Sequence, residues 1–567
     1  MALTIGETTQ QLHRALRDYI EATYHVSHRT LVDQRGVLLD QVGVIHQRPY
    51  LESTPRYRAG KRFADLGLPA AALDVFTAVS EPKGDLGLLL HDPPYQHQAL
   101  STQLSLVDGR SLVVMTGTGS GKTECFLYPV LDHCARERAR GRRGIKALIL
   151  YPMNALASDQ AGRMAKLLFE EAALAGVTAG LYVGDEGRHS AMTPTNVIDR
   201  REELRANPPD ILLTNYKMLD FLLLRREDRD LWAENEPDTL RYVVLDEFHE
   251  RHVDTDVAIA LLRRLRLTRR PELRIVVMSA TLESAAVARY LGECPSVRSE
   301  GRLFPVAVEF TPHSSVPLEE QVASAFARVA GERGDVLTFL PGAAEIRRAA
   351  RACSGAAERA GFDVVMLHGE LAPAEQDRAV NPGPRPKLIL STNVAESSIT
   401  IEGVTAVIDG GLARVAVDSP WTGLPSLNIA RISKASAKQR AGRAGRVRAG
   451  RVIRLYSEDD YVRRPEHVTP EIQRRELSHV LLDLLVMGAA NVEWFDAPPA
   501  AALDAGWGLL ERLGAVNGRC LTDTGRAMAR LPLHPRLARI VVESERRGCA
   551  DDGAAAAAVL SAGERLD

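Results

Sequence analysis

Short apolar runs alternate with amphipathic segments from residue 111 to residue 457, and this alternation predicts strands that are each followed by a helix. Six strand-length runs precede residue 300: SLVVMT, IKALILYP, TAGLYVG, DILLTN, LRYVVLD and RIVVMSAT. Five more follow it: VLTFLP, DVVMLHG, KLILSTN, TAVIDGG and RVIRLYS. Strands that alternate with helices form parallel sheets with helices on both faces. The pattern therefore predicts an α/β protein with two such domains, at residues 89–300 and 301–460.

The chain outside these two domains is predicted to be mostly helical. Residues 1–88 contain TTQQLHRALRDYIEATY, which has helical spacing, and they predict an N-terminal extension with no recognisable chemistry. This extension is either a packed helical cap or an accessory element for a partner or for nucleic acid. Inside the second domain, DSPWTG lies between two alternating segments and predicts a β-hairpin.

A glycine-rich segment, TGTGSGKT, follows the apolar run Leu112–Met115 and precedes an apolar-faced helix. A strand, a glycine-rich loop ending in Gly-Lys-Thr and a helix are the parts of a P-loop. Glycines let backbone N–H groups surround phosphates, and the helix N-terminus adds partial positive charge. The candidate nucleotide-binding residues are Thr116, Gly117, Thr118, Gly119, Ser120, Gly121, Lys122 and Thr123. Thr116 departs from the strict pattern, which begins with glycine.

The roles within this loop follow from the chemistry of its last two residues. Lys122 is expected to reach the β- and γ-phosphates of a nucleoside triphosphate such as ATP, and the Thr123 hydroxyl is expected to bind Mg²⁺. A second apolar run, Leu240–Leu245, ends in the acidic pair Asp246 and Glu247. A carboxylate at the carboxyl end of a parallel strand lies beside the P-loop of such a sheet.

The acidic pair therefore completes the predicted nucleotide site. Asp246 is expected to hold Mg²⁺, and Glu247 to orient or deprotonate the attacking water. His249 is a candidate relay to the second domain. Ser279 and Thr281, in the SAT segment after another predicted strand, are candidate coupling residues between the two domains.

QRAGRAGR at residues 439–446 offers three arginines, Arg440, Arg443 and Arg446, at helical spacing. A solvated basic helix face is the simpler interpretation. The two interleaved glycines weaken an exposed helix, so they favour a close approach of the backbone to another group. On that interpretation Arg443 and Arg446 are arginine fingers on the γ-phosphate, and Gln439 positions water or phosphate.

Taken in order, seven segments of the chain resemble the motifs of superfamily-two helicases, from Pro94 onward. They are TGTGSGKT, DEFH, SAT, GDVLTFLPGAAEIRRA, LHGEL, STNVAESSITIEGVTAVIDGG and QRAGRAGR. The second half is similar to DEAH-box proteins, and the first domain is closer to DEAD-like repair or defence helicases. The resemblance implies two tandem RecA-like domains, ATP hydrolysis with Mg²⁺, and movement along single-stranded nucleic acid, usually 3′ to 5′.

The resemblance also implies a winged-helix-like segment at residues 461–500 and a partial helical ratchet domain at 501–567. The ratchet is either a minimal version, or a protein partner or a further segment completes it. The hairpin of such enzymes separates strands, so Trp421 at its tip either stacks on a base or packs on a neighbouring domain.

The family's contacts with the nucleic-acid backbone can be carried over residue by residue. Hydroxyls, amides and loop N–H groups bind phosphate without reading bases. The candidates that match the family's motifs are Pro152, Asn154, Thr214, His368, Gly369, Thr392 and Asn393. Each of these segments also has the sequence of an ordinary strand-to-helix turn.

Two departures from the DEAH pattern stand out. Phe248 replaces the usual alanine of the box. Gln98, in YQHQ before the P-loop, lies where a glutamine that reads adenine is expected, although DEAH enzymes usually lack it. The alternative is a loop glutamine without that role.

Composition limits the function classes further. The formal net charge is −2, with 71 Lys and Arg against 73 Asp and Glu, so no global basic field attracts nucleic acid and modest, salt-sensitive binding is expected. The 6 cysteines form no CxxC pair, which gives no support for a zinc site or a disulfide framework. No secretory signal or membrane-spanning apolar run is recognisable, and the expected location is the cytoplasm.

Three functions remain open at this point. The first is an ATP-dependent, DEAH-like RNA helicase, supported by the second half of the chain. The second is a DNA helicase or translocase in repair or phage defence, supported by the first half. The third is a nucleotide-switched module that mainly recruits a partner, which the intact fingers and Glu247 disfavour.

Overall fold

The computed structural model describes residues 5–40, 44, 58–81, 90–116, 121–169, 171–174, 176–184, 187–224, 226–280, 284–299, 304–331, 334–369, 371–396, 401, 403–418, 425–446 and 448–562. These residues fall into two compact units, one up to residue 56 and one from residue 57 onward. The first unit contains helices α1 (Ile5–Thr23) and α2 (Arg29–Leu39). Arg17 on α1 forms an ion pair with Asp40 just after α2, at 2.7 Å.

The second unit begins with a parallel sheet in the order β3-β4-β2-β5-β6-β1-β7. The strands are β1 (Leu112–Met115), β2 (Ala147–Tyr151), β3 (Ala179–Tyr182), β4 (Ile211–Asn215), β5 (Tyr242–Leu245), β6 (Arg274–Ser279) and β7 (Ser296–Arg298). The first six are the six predicted from apolar runs. The edge strand β7 was not predicted, because it has only three residues and one of them is buried. All neighbouring strands pair parallel, as expected for strands connected by helices.

Helices cover both faces of this sheet. They are α3 (Ala70–Val79), α4 (Gln96–Leu106), α5 (Glu124–Ala139), α6 (Asn154–Leu168), α7 (Arg201–Ala206), α8 (Tyr216–Leu224), α9 (Val253–Thr268) and α10 (Ser284–Tyr290). Phe63 and Phe76 pack against Tyr128 of α5 with ring centroids 5.0 and 5.3 Å away. The segment around α3 therefore packs with the first sheet, and the predicted boundary at 88/89 lies inside a unit that begins at residue 57.

The second sheet has the order β10-β11-β9-β12-β15-β8 and is also parallel. Its strands and the elements around them are β8 (Val306–Phe310), α11 (Leu318–Val329), β9 (Asp335–Phe339), α12 (Ala343–Ala360), β10 (Asp363–Leu367), α13 (Pro373–Val380), β11 (Lys387–Ser391), β12 (Val404–Asp409), β13 (Leu412–Asp418), β14 (Pro425–Arg431), α14 (Lys434–Gly442), β15 (Gly450–Arg454) and α15 (Glu458–Arg463). The unpredicted strand here is β8, an edge strand that is only partly buried.

The two parallel sheets confirm the predicted α/β class with two tandem domains. Antiparallel pairing of β13 and β14 confirms the hairpin. Its turn, with Trp421, lies outside the described residues.

The described residues from 471 to 562 form helices and a small hairpin around a shared core. Its elements are α16 (Ser478–Val486), α17 (Ala500–Arg512), β16 (Val516–Asn517), β17 (Cys520–Leu521), α18 (Asp523–Met528), α19 (Pro535–Arg546) and α20 (Ala550–Ala562). Buried side chains from Ile472 to Val542 share one hydrophobic cluster. The predicted division between residues 500 and 501 therefore crosses a continuous core.

A short segment, residues 471–476, joins this C-terminal part to two other regions. Arg475 pairs with Asp418 at the end of β13 at 3.0 Å, and Arg474 donates to the Ala416 carbonyl on the same strand. Glu471 contacts the first domain, as described below. We call residues 471–562 the C-terminal module and residues 471–476 the junction.

Candidate functional site

Strands β1, β5 and β6 end at the same edge of the first sheet, because β6 pairs parallel with both of the others. The end of β1 leads into the P-loop, that of β5 into Asp246, and that of β6 into Ser279. The backbone N–H of Thr116 donates to the Ser279 carbonyl at 3.4 Å, which joins the P-loop strand to the coupling segment. Gly117, Thr118, Gly119, Ser120 and Thr281 lie outside the described residues.

Lys122 lies between the two predicted catalytic carboxylates. Its Nζ is 3.3 Å from Asp246 Oδ1 and forms an ion pair with Glu247. The Glu247 backbone N–H donates to Asp246 Oδ1 at 2.9 Å. Both carboxylates are almost fully buried, and a buried charge needs a partner. The three residues predicted to act on one nucleotide are thus adjacent, although their roles stay predictions.

The backbone at Glu247 has an unusual conformation. Glu247 has φ 49° and ψ 38°, and Arg251 has φ 53° and ψ 45°, on either side of a 3₁₀ turn at Phe248–Glu250. Left-handed values are uncommon for residues other than glycine, and they persist only where surrounding contacts fix them. The 247–251 segment, which we call the catalytic turn, carries the predicted general base at one end.

His249 joins this turn to the second domain. Its Nε2 is 2.7 Å from the side-chain amide of Gln439, and its Nδ1 is 3.3 Å from Glu247 Oε2. Burial lowers the pKa of His249 to about 4, so the ring is neutral at pH 7 and carries one N–H. The Ala280 backbone N–H donates to the same Nδ1 at 3.4 Å, and the tautomer of the ring decides whether Nε2 accepts from or donates to the Gln439 amide. His249, the predicted relay residue, therefore contacts both Glu247 of the nucleotide site and Gln439 of the second domain.

The three arginines of the QRAGRAGR segment have different surroundings. Arg440 is fully buried, pairs with Glu396 at 2.8 Å and Asp409 at 2.9 Å, and lies 4.7 Å over the Phe339 ring. Arg443 donates from Nε to the Glu396 carbonyl at 3.0 Å. Burial and the nearby charge of Arg446 hold the pKa of Arg443 well below its usual range. Arg440 is thus a structural residue, whereas Arg443 and Arg446 bring two positive charges close together.

Gln98 supports the P-loop directly. Its Nε2 donates to the Gly121 carbonyl at 2.9 Å, and its Oε1 accepts from the Tyr95 backbone N–H at 2.8 Å. Gly121 has φ 73°, and a Cβ there would lie 2.4 Å from Gln98 Nε2, so glycine is required. Whether Gln98 also reads adenine stays a prediction.

Two residues on α6 border the nucleotide site and were not predicted. Gln160 accepts from the Thr123 hydroxyl at 3.3 Å, and Arg163 forms an ion pair with Glu124. Both residues line a cavity that also reaches Thr123. Their separation of three residues places them on one helix face, but the sequence alone does not show which face meets the P-loop.

The first-domain candidates for nucleic-acid contact lie at the ends of β2 and β4, which are neighbours in the sheet. Pro152 and Asn154 follow β2, and the exposed Asn154 accepts from the side chain of Asn215 at the end of β4. Thr214 is fully buried, and its hydroxyl donates to the Tyr182 carbonyl at 2.6 Å. Thr214 is therefore not available at the surface for a contact with nucleic acid, because its hydroxyl is bonded to the neighbouring strand β3. Asn215 is the accessible residue at this strand end.

The second-domain candidates lie at the ends of the adjacent strands β10 and β11. Gly369 and Asn393 are exposed, Thr392 is half-buried and His368 is mostly buried. The Thr392 N–H donates to the Leu367 carbonyl at 3.2 Å, which holds the two strand ends together. A Cβ at Gly369 would meet no atom of the described residues within 4 Å, so the loop leaves space at this position. Among the described residues, no helix has the length and apolar character needed to cross a bilayer.

Comparisons with known proteins add family relationships. A DEAD/DEAH box helicase model matches residues 93–289, and a helicase conserved C-terminal domain model matches residues 321–448. The chain is 36% identical over 454 residues to the ATP-dependent RNA helicase HrpB of Escherichia coli strain K12, covering 78% of this chain and 51% of HrpB. It is 33% identical over 477 residues to the ATP-dependent RNA helicase HrpA of the same organism, covering 81% of this chain and 34% of HrpA.

A solved structure gives the same relationship. The crystal structure of the Escherichia coli DEAH/RHA helicase HrpB aligns with a TM-score of 0.66 at 33% identity, covering 81% of this chain and 55% of that one. The chain therefore spans about half the length of HrpB and a third of HrpA.

Proposed function

Because the chain belongs to the DEAH-box-like helicases of superfamily two, we propose that it hydrolyses ATP and uses that reaction to move along single-stranded RNA, in the 3′ to 5′ direction. One observation carries the proposal. Lys122, Asp246 and Glu247 meet at one sheet edge, and Gln439 of the second domain reaches the same place through His249. This arrangement is suited to a triphosphate bound between two domains.

In the proposed reaction, a water oxygen attacks the γ-phosphorus while the bond to the β–γ bridging oxygen breaks. Glu247 accepts the proton of the water, and Lys122 leaves the two carboxylates to bind the β- and γ-phosphates. Arg443 and Arg446 stabilise the charge of the transferred group. An anion that lies between the two guanidinium groups relieves the repulsion of their charges.

The donor atoms at the site fit Mg²⁺. The Thr123 hydroxyl and the Asp246 carboxylate are hard oxygen ligands of the kind that Mg²⁺ prefers in nucleotide sites. A bound Mg²⁺ neutralises charge on the phosphates. Asp246 is already oriented for this role, since its Oδ1 accepts the Glu247 N–H.

Domain movement follows from contacts on both sides of the nucleotide. ATP draws the second domain toward the first through Arg443 and Arg446, and phosphate release opens the cleft again. Ser279 and Thr281 are the proposed couplers. Contacts at Pro152, Asn154 and Asn215 would then alternate with those at His368, Gly369, Thr392 and Asn393, so that the strand advances. A cytoplasmic location and a protein partner for the N-terminal unit stay predictions.

Comparing RNA with DNA tests this proposal most directly. ATP turnover is measured with single-stranded RNA, with single-stranded DNA of the same sequence and with neither. We expect strong stimulation by RNA that weakens as salt rises, because backbone contacts release counterions. Greater stimulation by DNA would support the repair or defence alternative. No stimulation by either polymer would contradict a translocase and favour a nucleotide-switched module.

Replacing Gln98 by alanine tests its support of the P-loop. Loss of the hydrogen bond to Gly121 is expected to raise the KM for ATP roughly 10-fold, the equivalent of one hydrogen bond. If Gln98 also reads adenine, the wild type prefers ATP over GTP and UTP, and the variant loses that preference. Gln96→Ala, an exposed glutamine on the same helix, is the matched control. Equal wild-type turnover of the three nucleotides would show that Gln98 does not recognise adenine. The KM for ATP of the alanine variant would still test its support of the P-loop.

A further inference from the structure

The catalytic turn is held on its far side by the C-terminal module. The Glu471 backbone N–H donates to the Arg251 carbonyl at 3.0 Å, and Glu471 Oε2 accepts from the Val253 N–H at 3.2 Å. His252 lies between Glu250 at 3.1 Å and Glu471 at 3.5 Å. Although burial opposes it, these two carboxylates raise the pKa of His252, which favours the charged pair. One residue of the junction thus fixes the backbone that leaves the turn.

Aromatic and ionic contacts fix the middle of the turn. The Phe248 ring, which is fully buried, lies 5.9 Å from that of Phe495 in an edge arrangement. The Arg251 guanidinium lies 4.8 Å over the Phe495 ring and pairs with Asp496 at 2.6 Å. The alanine usual at position 248 has no side chain that could reach Phe495. The departure from the DEAH pattern therefore coincides with a contact between the catalytic box and the C-terminal module.

These contacts surround the two residues with the unusual backbone. Glu247 and Arg251 both have left-handed conformations, which non-glycine residues keep only under external constraint. On the outer side, Glu471, Phe495 and Asp496 contact the turn beside Asp256 of the first domain, which pairs with Arg251 at 2.9 Å. Lys122 and His249 contact Glu247 from the nucleotide side. If the outer contacts are removed, the turn can relax toward a common conformation and move the Glu247 carboxylate.

We propose that Glu471, Phe495 and Asp496 are positioning residues for ATP hydrolysis, through which the C-terminal module holds Glu247 in its productive orientation. The proposal rests on the proposed function, since it takes Glu247 as the general base. The three residues do not contact the nucleotide site themselves. Their removal therefore changes the chemical step and leaves ATP binding intact.

The experiment measures kcat and KM for ATP at saturating RNA in Phe495→Ala, Asp496→Asn and Glu471→Gln. We expect kcat to fall about 10- to 100-fold, the loss typical of a misplaced catalytic group, with KM and ADP affinity unchanged. Glu493→Ala is the matched control, because it breaks an ion pair with Arg263 at the same interface without touching the catalytic turn. Its kcat should equal that of the wild type. Thermal unfolding is measured for all variants.

A double-mutant cycle tests whether Phe495 affects kcat through its contact with Phe248. Phe248→Ala is expected to lower kcat as much as Phe495→Ala, and the double variant should be no slower than either one, because both changes remove the same contact. Phe495→Leu, which keeps an apolar contact, should restore most of the activity. Asp496→Asn is nearly isosteric and lies at a half-exposed position, so it provides a test even if Phe495→Ala does not fold.

The possible results separate this inference from the proposed function. Wild-type kcat in all three interface variants, beside an inactive Glu247→Gln, would overturn the inference alone. Additive losses in the double variant would also overturn it, because Phe495 would then act by another route. Normal turnover in Glu247→Gln would overturn the catalytic assignment and the inference together.

Discussion

Replacement of Glu247 by glutamine is expected to lower kcat for ATP hydrolysis by about 10²–10⁴-fold, the contribution of a general base. Glutamine keeps the size and polarity of the side chain but cannot accept the proton of the attacking water. Because the Glu247 N–H bond to Asp246 comes from the backbone, the turn should keep its shape. The loss should therefore appear in kcat and not in nucleotide affinity.

Single-turnover hydrolysis of radiolabelled ATP, together with fluorescent-ADP binding, distinguishes these effects. Lys122→Ala is the companion variant, and it should lose ATP binding as well as turnover because its ammonium would bind the phosphates. Wild-type hydrolysis in Glu247→Gln would show that another group takes the proton.

The second large effect is expected on ATP turnover, from replacing arginines of the QRAGRAGR segment. Replacing Arg446 by alanine is expected to lower kcat by about 10³–10⁵-fold, as for an arginine finger, with little change in the melting temperature. Arg443→Ala should also reduce turnover. Arg440→Ala should act differently, because it leaves Glu396 and Asp409 in the interior without their cation. Breaking such a buried pair costs about 3–5 kcal/mol of folding free energy.

The measurement pairs ATP turnover with denaturant unfolding for each of the three alanine variants. Arg446→Lys is the conservative control, and a lysine should restore only part of the rate because it lacks the planar fork of donors. An Arg446→Ala protein with normal turnover would remove this residue from the catalytic set. A fully stable Arg440→Ala protein would contradict its structural role.

Much of the fold could be predicted because buried parallel strands are encoded locally. The eleven apolar runs correspond to strands of the two sheets, and DSPWTG marked the hairpin. The strands β7 and β8 were missed because edge strands need little burial and leave a weak pattern. The compact unit that begins at residue 57 includes residues on both sides of the predicted boundary at residue 88, and the packing of Phe63 and Phe76 on Tyr128 across it is a long-range contact without a local signal.

The candidate site shows the same division between local and long-range information. Lys122, Asp246 and Glu247 were predicted to be adjacent from their motifs alone, because parallel strands bring their carboxyl ends to one edge. Thr214 was assigned to the nucleic acid by its motif, but both faces of β4 are covered, so its side chain is buried and only Asn215 at the strand end is partly accessible. The contacts of Glu471 and Phe495 with the catalytic turn span more than 200 residues and have no local signal.

The junction connects the β13–β14 hairpin to the first domain, because different residues of this short segment contact each of them. Arg474 and Arg475 hold β13, and Glu471, three and four residues away, holds the backbone beyond Arg251. If a duplex exerts force on the hairpin, that force would reach the catalytic turn through the short junction. On the proposed function, force on the hairpin would then change the rate of ATP hydrolysis through these contacts.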